Sequence, residues 1–319
     1  MIEPVRPILV EDVEEARSRI AGTVLRTPLV KLDLEAGAPE IWLKLENLQP
    51  TNAYKIRGAT NAVAALPEEE RSRGVWTISA GNAGQGVAYA AREFGVPSTV
   101  VAIETAPQTK LDRMRALGAE IIPVSYQDAW KIAEAHAYPG LDATLVHPFD
   151  SYDFIAGHGT MALEILEDLP EVRTVIAAIG GGGLVTGVAS PIKALRTDVK
   201  VFGAEPETAA PYAYSLAHGG PQWFPDWKAS FVDGAGGKSV TERMWQRMRP
   251  VTDGAITVTL DQTRKAMRLI AEKTRTIAEG AGALALAAAL TGEAGEGPIV
   301  CVVSGGNIDL DKFAQLIAD

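Results

Sequence analysis

Cysteine is all but absent from this 319-residue chain. The single one, Cys301, leaves no way to close an internal disulfide, which fits a reducing compartment. It lies in the apolar run Ile299-Val300-Cys301-Val302-Val303, where a buried, unreactive thiol is expected. Positive charge is also in deficit. Lys and Arg number 30 against 40 Asp and Glu, a net charge of −10 that argues against a nucleic-acid surface and for a weakly self-repelling, soluble protein. Long hydrophobic runs are missing too: the alanine-rich stretch from Ala281 to Leu290 is too short to span a bilayer. The start, Met1-Ile2-Glu3-Pro4, soon turns acidic and carries no secretory signal. No internal repeat and no low-complexity linker interrupts the chain. The expectation is a cytoplasmic enzyme with no nucleic-acid or membrane partner.

What is present is an alternation of short apolar runs and helical patterns. The apolar fraction of 47% and charged fraction of 22% suit a soluble globular enzyme of one large domain or about two smaller ones. Strands are expected at 41–45, 75–78, 98–103, 120–124, 174–178, 200–204 and 298–303. Amphipathic stretches such as Gly84 to Phe94 and Gln108 to Leu117 lie between them. This cadence predicts an α/β architecture with mainly parallel sheets.

Four short segments carry the chemistry. In Asn52-Ala53-Tyr54-Lys55-Ile56-Arg57-Gly58-Ala59 a lysine sits beside an aromatic ring, and a lysine in apolar surroundings has the lowered pKa needed to condense with an aldehyde cofactor. Standing alone, Lys55 reads more readily as a solvated surface lysine paired with a carboxylate. Ser79-Ala80-Gly81-Asn82-Ala83-Gly84-Gln85-Gly86 follows a strand and opens a helix, whose free N–H groups favour an anion such as a substrate carboxylate. Asn82 could donate its amide to a phenolate oxygen, although a plain turn capped by Ser79 explains the segment as well. Gly180, Gly181, Gly182 and Gly183, followed by Leu184, also join a strand to a helix, and successive glycine N–H groups can converge on a phosphate. A nicotinamide site fits these glycines less well, because the third glycine of its G-x-G-x-x-G spacing is missing after Gly180 and Gly182. Ser304, ahead of Gly305-Gly306-Asn307, could hydrogen-bond a neutral pyridine nitrogen, or simply cap a strand end. Together, a reactive amine, an amide, a phosphate cradle and a hydroxyl are what pyridoxal 5'-phosphate requires.

The order of these segments resembles the fold-type II pyridoxal-phosphate enzymes, in particular the threonine/serine dehydratase and serine racemase group. The family's S-F-K-x-R-G-A is matched by Ala53 to Ala59, and its S-[SA]-G-N-H-[AG]-Q-[GA] by Ser79 to Gly86. The glycine tetrad, the run Ala278-Glu279-Gly280-Ala281-Gly282-Ala283 and the ending Ser304 to Asn307 match too, so the likeness runs from Thr27 to Asp309. It implies a tryptophan synthase β-like fold with two three-layer αβα lobes. Residues 1–73 and 148–319 would form the large cofactor-binding domain, and 74–147 a small one. It also implies roles: Lys55 as Schiff-base lysine and base, Asn82 on the phenolate oxygen, Gly180 to Gly183 with Leu184 around the phosphate, and Ser304 on the pyridine nitrogen. Tyr54 and Glu279 would lie against the cofactor, and Ser79, Ala80, Gly81 and Ala83 around the substrate carboxylate, with Phe149 an aromatic wall. A homodimer is the family's common state.

Three departures refine that expectation. Racemases of the group use a serine where this chain has Ala80, and a methyl group moves no proton. The family's metal site needs an aspartate shortly after its glutamate; Glu205 is present but Pro211 stands at the second position, so no metal is expected. Ala83 replaces the usual histidine and Ala53 a serine, which suggests a pocket widened for a bulky or aromatic β-substituent, as in phenylserine. The reading is elimination of a β-hydroxyl from a small-molecule amino acid to give a 2-oxo acid and ammonia. A racemase, a β-replacement synthase of the same fold and a non-catalytic ligand-binding paralogue are the alternatives.

Overall fold

The computed structural model describes residues 4–35 and 37–318. Met1 to Glu3, part of the segment that argues against a secretory signal, lie outside them. The strands are β1 (Leu29–Lys31), β2 (Ile41–Lys44), β3 (Val75–Ile78), β4 (Ser98–Ile103), β5 (Glu120–Val124), β6 (Thr144–Leu145), β7 (Thr174–Ala178), β8 (Lys200–Pro206), β9 (Gly254–Val258) and β10 (Ile299–Val302). They form two sheets. The larger runs β1-β2-β10-β7-β8-β9, parallel except for β1 at its edge; the smaller runs β5-β4-β3-β6 and is parallel throughout.

The central strands are apolar on both faces because both faces are covered. Val175, Ala177, Val300 and Val302 point into a core with the helices Tyr152–Asp168 and Gly183–Leu195. Ile176, Ala178, Ile299 and Cys301 point the opposite way, against Leu260–Thr274 and Gly280–Ala289. The smaller sheet repeats the scheme, with Val100 and Ala102 on one face and Trp76 and Val101 on the other. Two three-layer units result. The larger takes strands from both ends of the chain, and the smaller takes residues 75–145. Cys301 is fully buried and free, and burial pushes its thiol pKa far up. Among the described residues no helix is long and apolar enough to cross a membrane.

The expected strands appear with small shifts at their ends: Leu45, Pro298 and Val303 fall outside β2 and β10, and β8 continues to Pro206. Three strands had no distinct signature, namely β1, the two-residue β6, and β9, which opens on Gly254.

The helix Lys55–Ala65 is held by a buried cluster of charges. Arg57 is 1% exposed, and its guanidinium bonds both oxygens of Glu46 at 2.8 Å and those of Glu164 at 2.7 and 2.9 Å. Lys44 of β2, also fully buried, meets Glu164 at 2.6 Å and the Thr27 carbonyl at 2.7 Å. Thr27 and Gln49 donate to Glu46. Burial by itself would raise the Glu46 carboxyl, but the charge and hydrogen bonds of Arg57 outweigh it and hold its pKa below the usual range. Two cations and two anions thus tie the helix to β2 and to Tyr152–Asp168. The same two helices touch backbone to backbone, since a Cβ on Gly58 would lie 2.4 Å from the Phe154 carbonyl oxygen and one on Gly157 2.5 Å from that of Arg57.

Removing one member of such a cluster strands the others without water. Glu164→Ala is expected to lower stability by about 3–5 kcal/mol, read as a shift of the urea midpoint with unchanged slope.

Candidate functional site

Four strands of the two sheets aim their carboxyl ends at one cleft. Ser79 follows β3, Thr105 lies just past β4, Gly180 closely follows β7 and Ser304 closely follows β10. Clefts at the carboxyl ends of parallel strands are where open α/β sheets bind ligands. A cavity of about 410 Å³ occupies this one. Its lining includes Tyr54, Lys55, Ser79, Ala80, Gly81, Asn82, Ala83, Phe149, Gly181, Glu279 and Ser304.

Lys55 begins its helix at the cavity floor. The entry to that helix is stitched to the strand-end turn after β10: Tyr54 N–H donates to the Ser304 carbonyl at 3.0 Å, and Ala53 bridges Gly305. The Lys55 amine donates to the Pro148 carbonyl at 2.6 Å and stands 5.1 and 5.2 Å from the ring centres of Tyr54 and Phe154. Burial among these groups lowers its pKa to about 7. Nearby His158 is fully buried and stacks edge-on with Tyr54 at 4.6 Å; burial and then the Lys55 and Arg57 charges keep it neutral.

The loop after β3 ends in the helix Asn82–Phe94, which starts without a side-chain cap. Ser79 does not cap it; its Oγ accepts from Gly81 N–H at 3.1 Å. The first N–H groups of the helix are therefore left for an anion. Asn82 sits in a relay of side chains: its Nδ2 donates to Glu279 at 2.7 Å, and its Oδ1 accepts from Asn307 at 2.8 Å. Asn307 in turn accepts from Arg113 at 3.0 Å. Burial, then the charge of Asp233, raises the Glu279 pKa to about 7, while the Asn82 bond opposes the rise. Ser304 is buried, and its hydroxyl donates to the Ala281 carbonyl at 3.3 Å.

The tetrad precedes the helix Gly183–Leu195, again without a side-chain cap, and Gly182 has φ +90°, a left-handed conformation that favours glycine. A Cβ on Gly181 would strike the Phe149 ring at 2.3 Å, and one on Gly182 the Met248 sulfur at 2.4 Å. Gly180 and Gly181 line a second cavity of about 250 Å³ that abuts the first at Phe149, Gly181, Asp233 and Gly234. Leu184 points instead into the core.

Several expectations need adjusting. Ala53 is fully buried against Gly305 and is not part of the cavity wall, so its missing hydroxyl does not widen the pocket. Glu205 spends both carboxylate oxygens on the helix Pro211–His218, accepting from the N–H of Tyr212 at 2.9 Å and of Ala213 at 2.8 Å. Burial pushes its pKa up to about 7. Sequence reasoning passed over the Pro148 carbonyl, Lys110 and Asp233, which all line the cavity. Asp233 opens the glycine-rich run Asp233-Gly234-Ala235-Gly236-Gly237, a signal that could have marked it. Lys110 has no local signature; its ion pair with Asp233, at 2.8 Å, exists only once the helix Gln108–Ala116 meets the other lobe.

Comparison with known proteins agrees with this geometry. Residues 20–305 match the family described as pyridoxal-phosphate dependent enzyme. The chain belongs to that family. It is 39% identical to an L-threonine ammonia-lyase of Thermotoga maritima, over 97% of this chain and 78% of that one. Its fold superimposes on a serine racemase from Dictyostelium discoideum with a TM-score of 0.87 at 34% identity, covering 95% and 99% of the two chains. A threonine deaminase from T.th. gives 0.87 at 35% identity, again over 95% and 99%.

The residues present fit the family's cofactor. The tetrad offers an uncapped helix start with no room for side chains, which suits a phosphate. Lys55 supplies an amine that is half neutral near pH 7. Only the neutral amine attacks an aldehyde, and its share grows as pH rises through the pKa. Cofactor capture by cofactor-free protein is therefore expected to accelerate through pH 7 and level off above pH 8, rather than rise through 10.5. Stopped-flow absorbance at the Schiff-base band checks this.

Proposed function

We propose that this pyridoxal-phosphate enzyme removes the β-hydroxyl of an α-amino acid, yielding a 2-oxo acid and ammonia. One observation carries the reading: an amine of lowered pKa, an uncapped helix start, a glycine-lined anion site and a buried serine hydroxyl all open on the same two adjoining cavities. The names of the L-threonine ammonia-lyase and threonine deaminase to which the chain is similar support it.

When bound, the cofactor supplies an aldehyde that joins an amine and a conjugated ring that takes up the electron pair left at the α-carbon. Lys55 holds the aldehyde end and, once released by substrate, takes the α-proton. A group with a pKa of about 7 both accepts and returns a proton at neutral pH. The Pro148 carbonyl, as acceptor, keeps the free amine beside the reacting carbon. N–H groups at the start of Asn82–Phe94 orient the substrate carboxylate, with Ser79, Ala80, Gly81 and Ala83 as its walls. Gly180 to Gly183 would hold the phosphate, and Asn82, Tyr54 and Glu279 would flank the ring. Ser304 would offer the ring nitrogen a hydroxyl, which is too weak an acid to protonate it, so the bound ring would be a modest electron sink, an arrangement that suits prompt loss of the β-group. The C–H and C–O bonds break, the proton taken from the α-carbon balances the one the hydroxyl needs to leave as water, and the released enamine hydrolyses to the 2-oxo acid and ammonia.

Threonine and serine are the simplest substrates, and a bulky or aromatic β-substituent is the finer expectation. Racemisation by two bases lacks its second base, because Ala80 lines the cavity where a hydroxyl would be required. We place the protein in the cytoplasm as a homodimer, with 1–73 and 148–319 as the cofactor-binding domain and 74–147 as the small domain.

Lys55→Ala is expected to abolish both the Schiff-base absorbance and 2-oxo acid formation from β-hydroxy amino acids. Persistence of 2-oxo acid production in that variant, or a replacement product on adding sulfide to the wild type, would overturn the assignment.

A further inference from the structure

The small-lobe helix Tyr126–Ala135 turns two rings toward the other lobe. Tyr126 and Trp130 are four residues apart and so share a face. Opposite them, Trp223 lies with its ring centre 6.2 Å from that of Trp130, at 52° between planes. Lys238 completes the clasp, its ammonium 5.1 Å from the Tyr126 ring centre and 4.5 Å from that of Trp227. Trp223 is 62% exposed, so core packing does not explain it. Its segment is instead tied to the glycine-rich loop of the site: Trp223 bridges Ser239, Phe224 N–H donates to the Lys238 carbonyl at 2.8 Å, and Trp227 Nε1 donates to the Gly236 carbonyl at 3.3 Å.

Trp130 also lines the second cavity, together with Phe149, Val240 and Met248. That cavity adjoins the one holding Lys55, with Phe149, Gly181, Asp233 and Gly234 as walls common to both. The anion site belongs to the large lobe, whereas Trp130 comes from the small one, so a phosphate and a ring would approach from different walls. At the junction Asp233 is paired with Lys110 at 2.8 Å, so this ion pair presents no net charge to an entering substituent.

We propose that Trp130, backed by Trp223, forms a subsite for an uncharged aryl group on the β-carbon of the substrate, so that the preferred substrates are 3-aryl-3-hydroxy amino acids. This rests on the β-elimination reading above. Trp130 touches the aryl ring; Trp223 is a positioning residue that holds the Trp130 indole across the cleft.

The test uses holoenzyme, phenylserine and threonine as substrates, and phenylalanine and 2-aminobutyrate as ligands without a leaving group. Wild type should favour phenylserine in kcat/KM and bind phenylalanine more tightly than 2-aminobutyrate. Trp130→Ala should lower kcat/KM for phenylserine and affinity for phenylalanine by about ten- to a hundredfold, the contribution of one buried ring. Values for threonine and 2-aminobutyrate should move less than about threefold. Trp223→Ala should show the same pattern more weakly, and Trp130→Phe should keep the preference, which separates a lost ring from a lost fold. If neither hydroxy amino acid yields a 2-oxo acid, the β-elimination reading fails, and the calorimetric preference for phenylalanine still decides the subsite. Equal losses for both ligands in Trp130→Ala, or no loss, would overturn the subsite.

Discussion

The buried charge cluster around Arg57 is the constraint on which the site depends. Lys55 and Arg57 are two residues apart at the start of one helix, so whatever fixes the guanidinium also fixes the amine. Ion pairs with Glu46 and Glu164, helped by Lys44, Thr27 and Gln49, join β2, that helix and Tyr152–Asp168 into one rigid support. A hydrophobic patch could supply comparable stability, since buried ion pairs gain little net energy over well-packed apolar groups. What hydrogen-bonded charges add is direction: each oxygen and N–H has one place to be. For an amine that must reach both a cofactor and an α-carbon, that precision is the useful part.

Around that support the site uses burial to bring proton affinities toward neutrality from opposite sides. Lys55 falls to about 7, and Glu279 rises to about 7, because each loses solvation of its charged form. Between them run neutral donors and acceptors: the Pro148 carbonyl, the amides of Asn82 and Asn307, and the Ser304 hydroxyl. The site therefore holds few fixed charges of its own, which leaves the charges of carboxylate and phosphate to be met by the N–H groups of two uncapped helices. Glu205 shows the same physics used for structure instead. Its buried carboxylate is consumed in capping Pro211–His218, accepting from the N–H groups of Tyr212 and Ala213.

Much of this was legible in the chain. The runs at 75–78, 98–103 and 174–178 became strands with those limits because strands covered on both faces are largely apolar, and the edge strand at 120–124 was marked by its Ile121-Ile122 pair. Edge strands β1 and β9 and the two-residue β6 left no such mark, being short or only half buried. Lys55, Asn82, the tetrad and Ser304 stood out because their chemistry is local: a glycine run or a strand-end hydroxyl announces itself. The supposed widening at Ala53 failed for the opposite reason. Which wall a side chain faces depends on its pairing with Gly305, about 250 residues away along the chain.

The amino-acid sequence by itself determined the architecture class and the cofactor chemistry and marked the candidate residues around it, since periodicity and short motifs are encoded within a few residues of one another. Tertiary structure alone decided what lies across the cleft. The Pro148 acceptor for Lys55, the Lys110–Asp233 pair, and the meeting of Trp130 with Trp223 each join segments that no local pattern links. Such contacts arise where two independently formed sheets close on a shared gap, and the geometry of that gap is set by packing over the whole molecule.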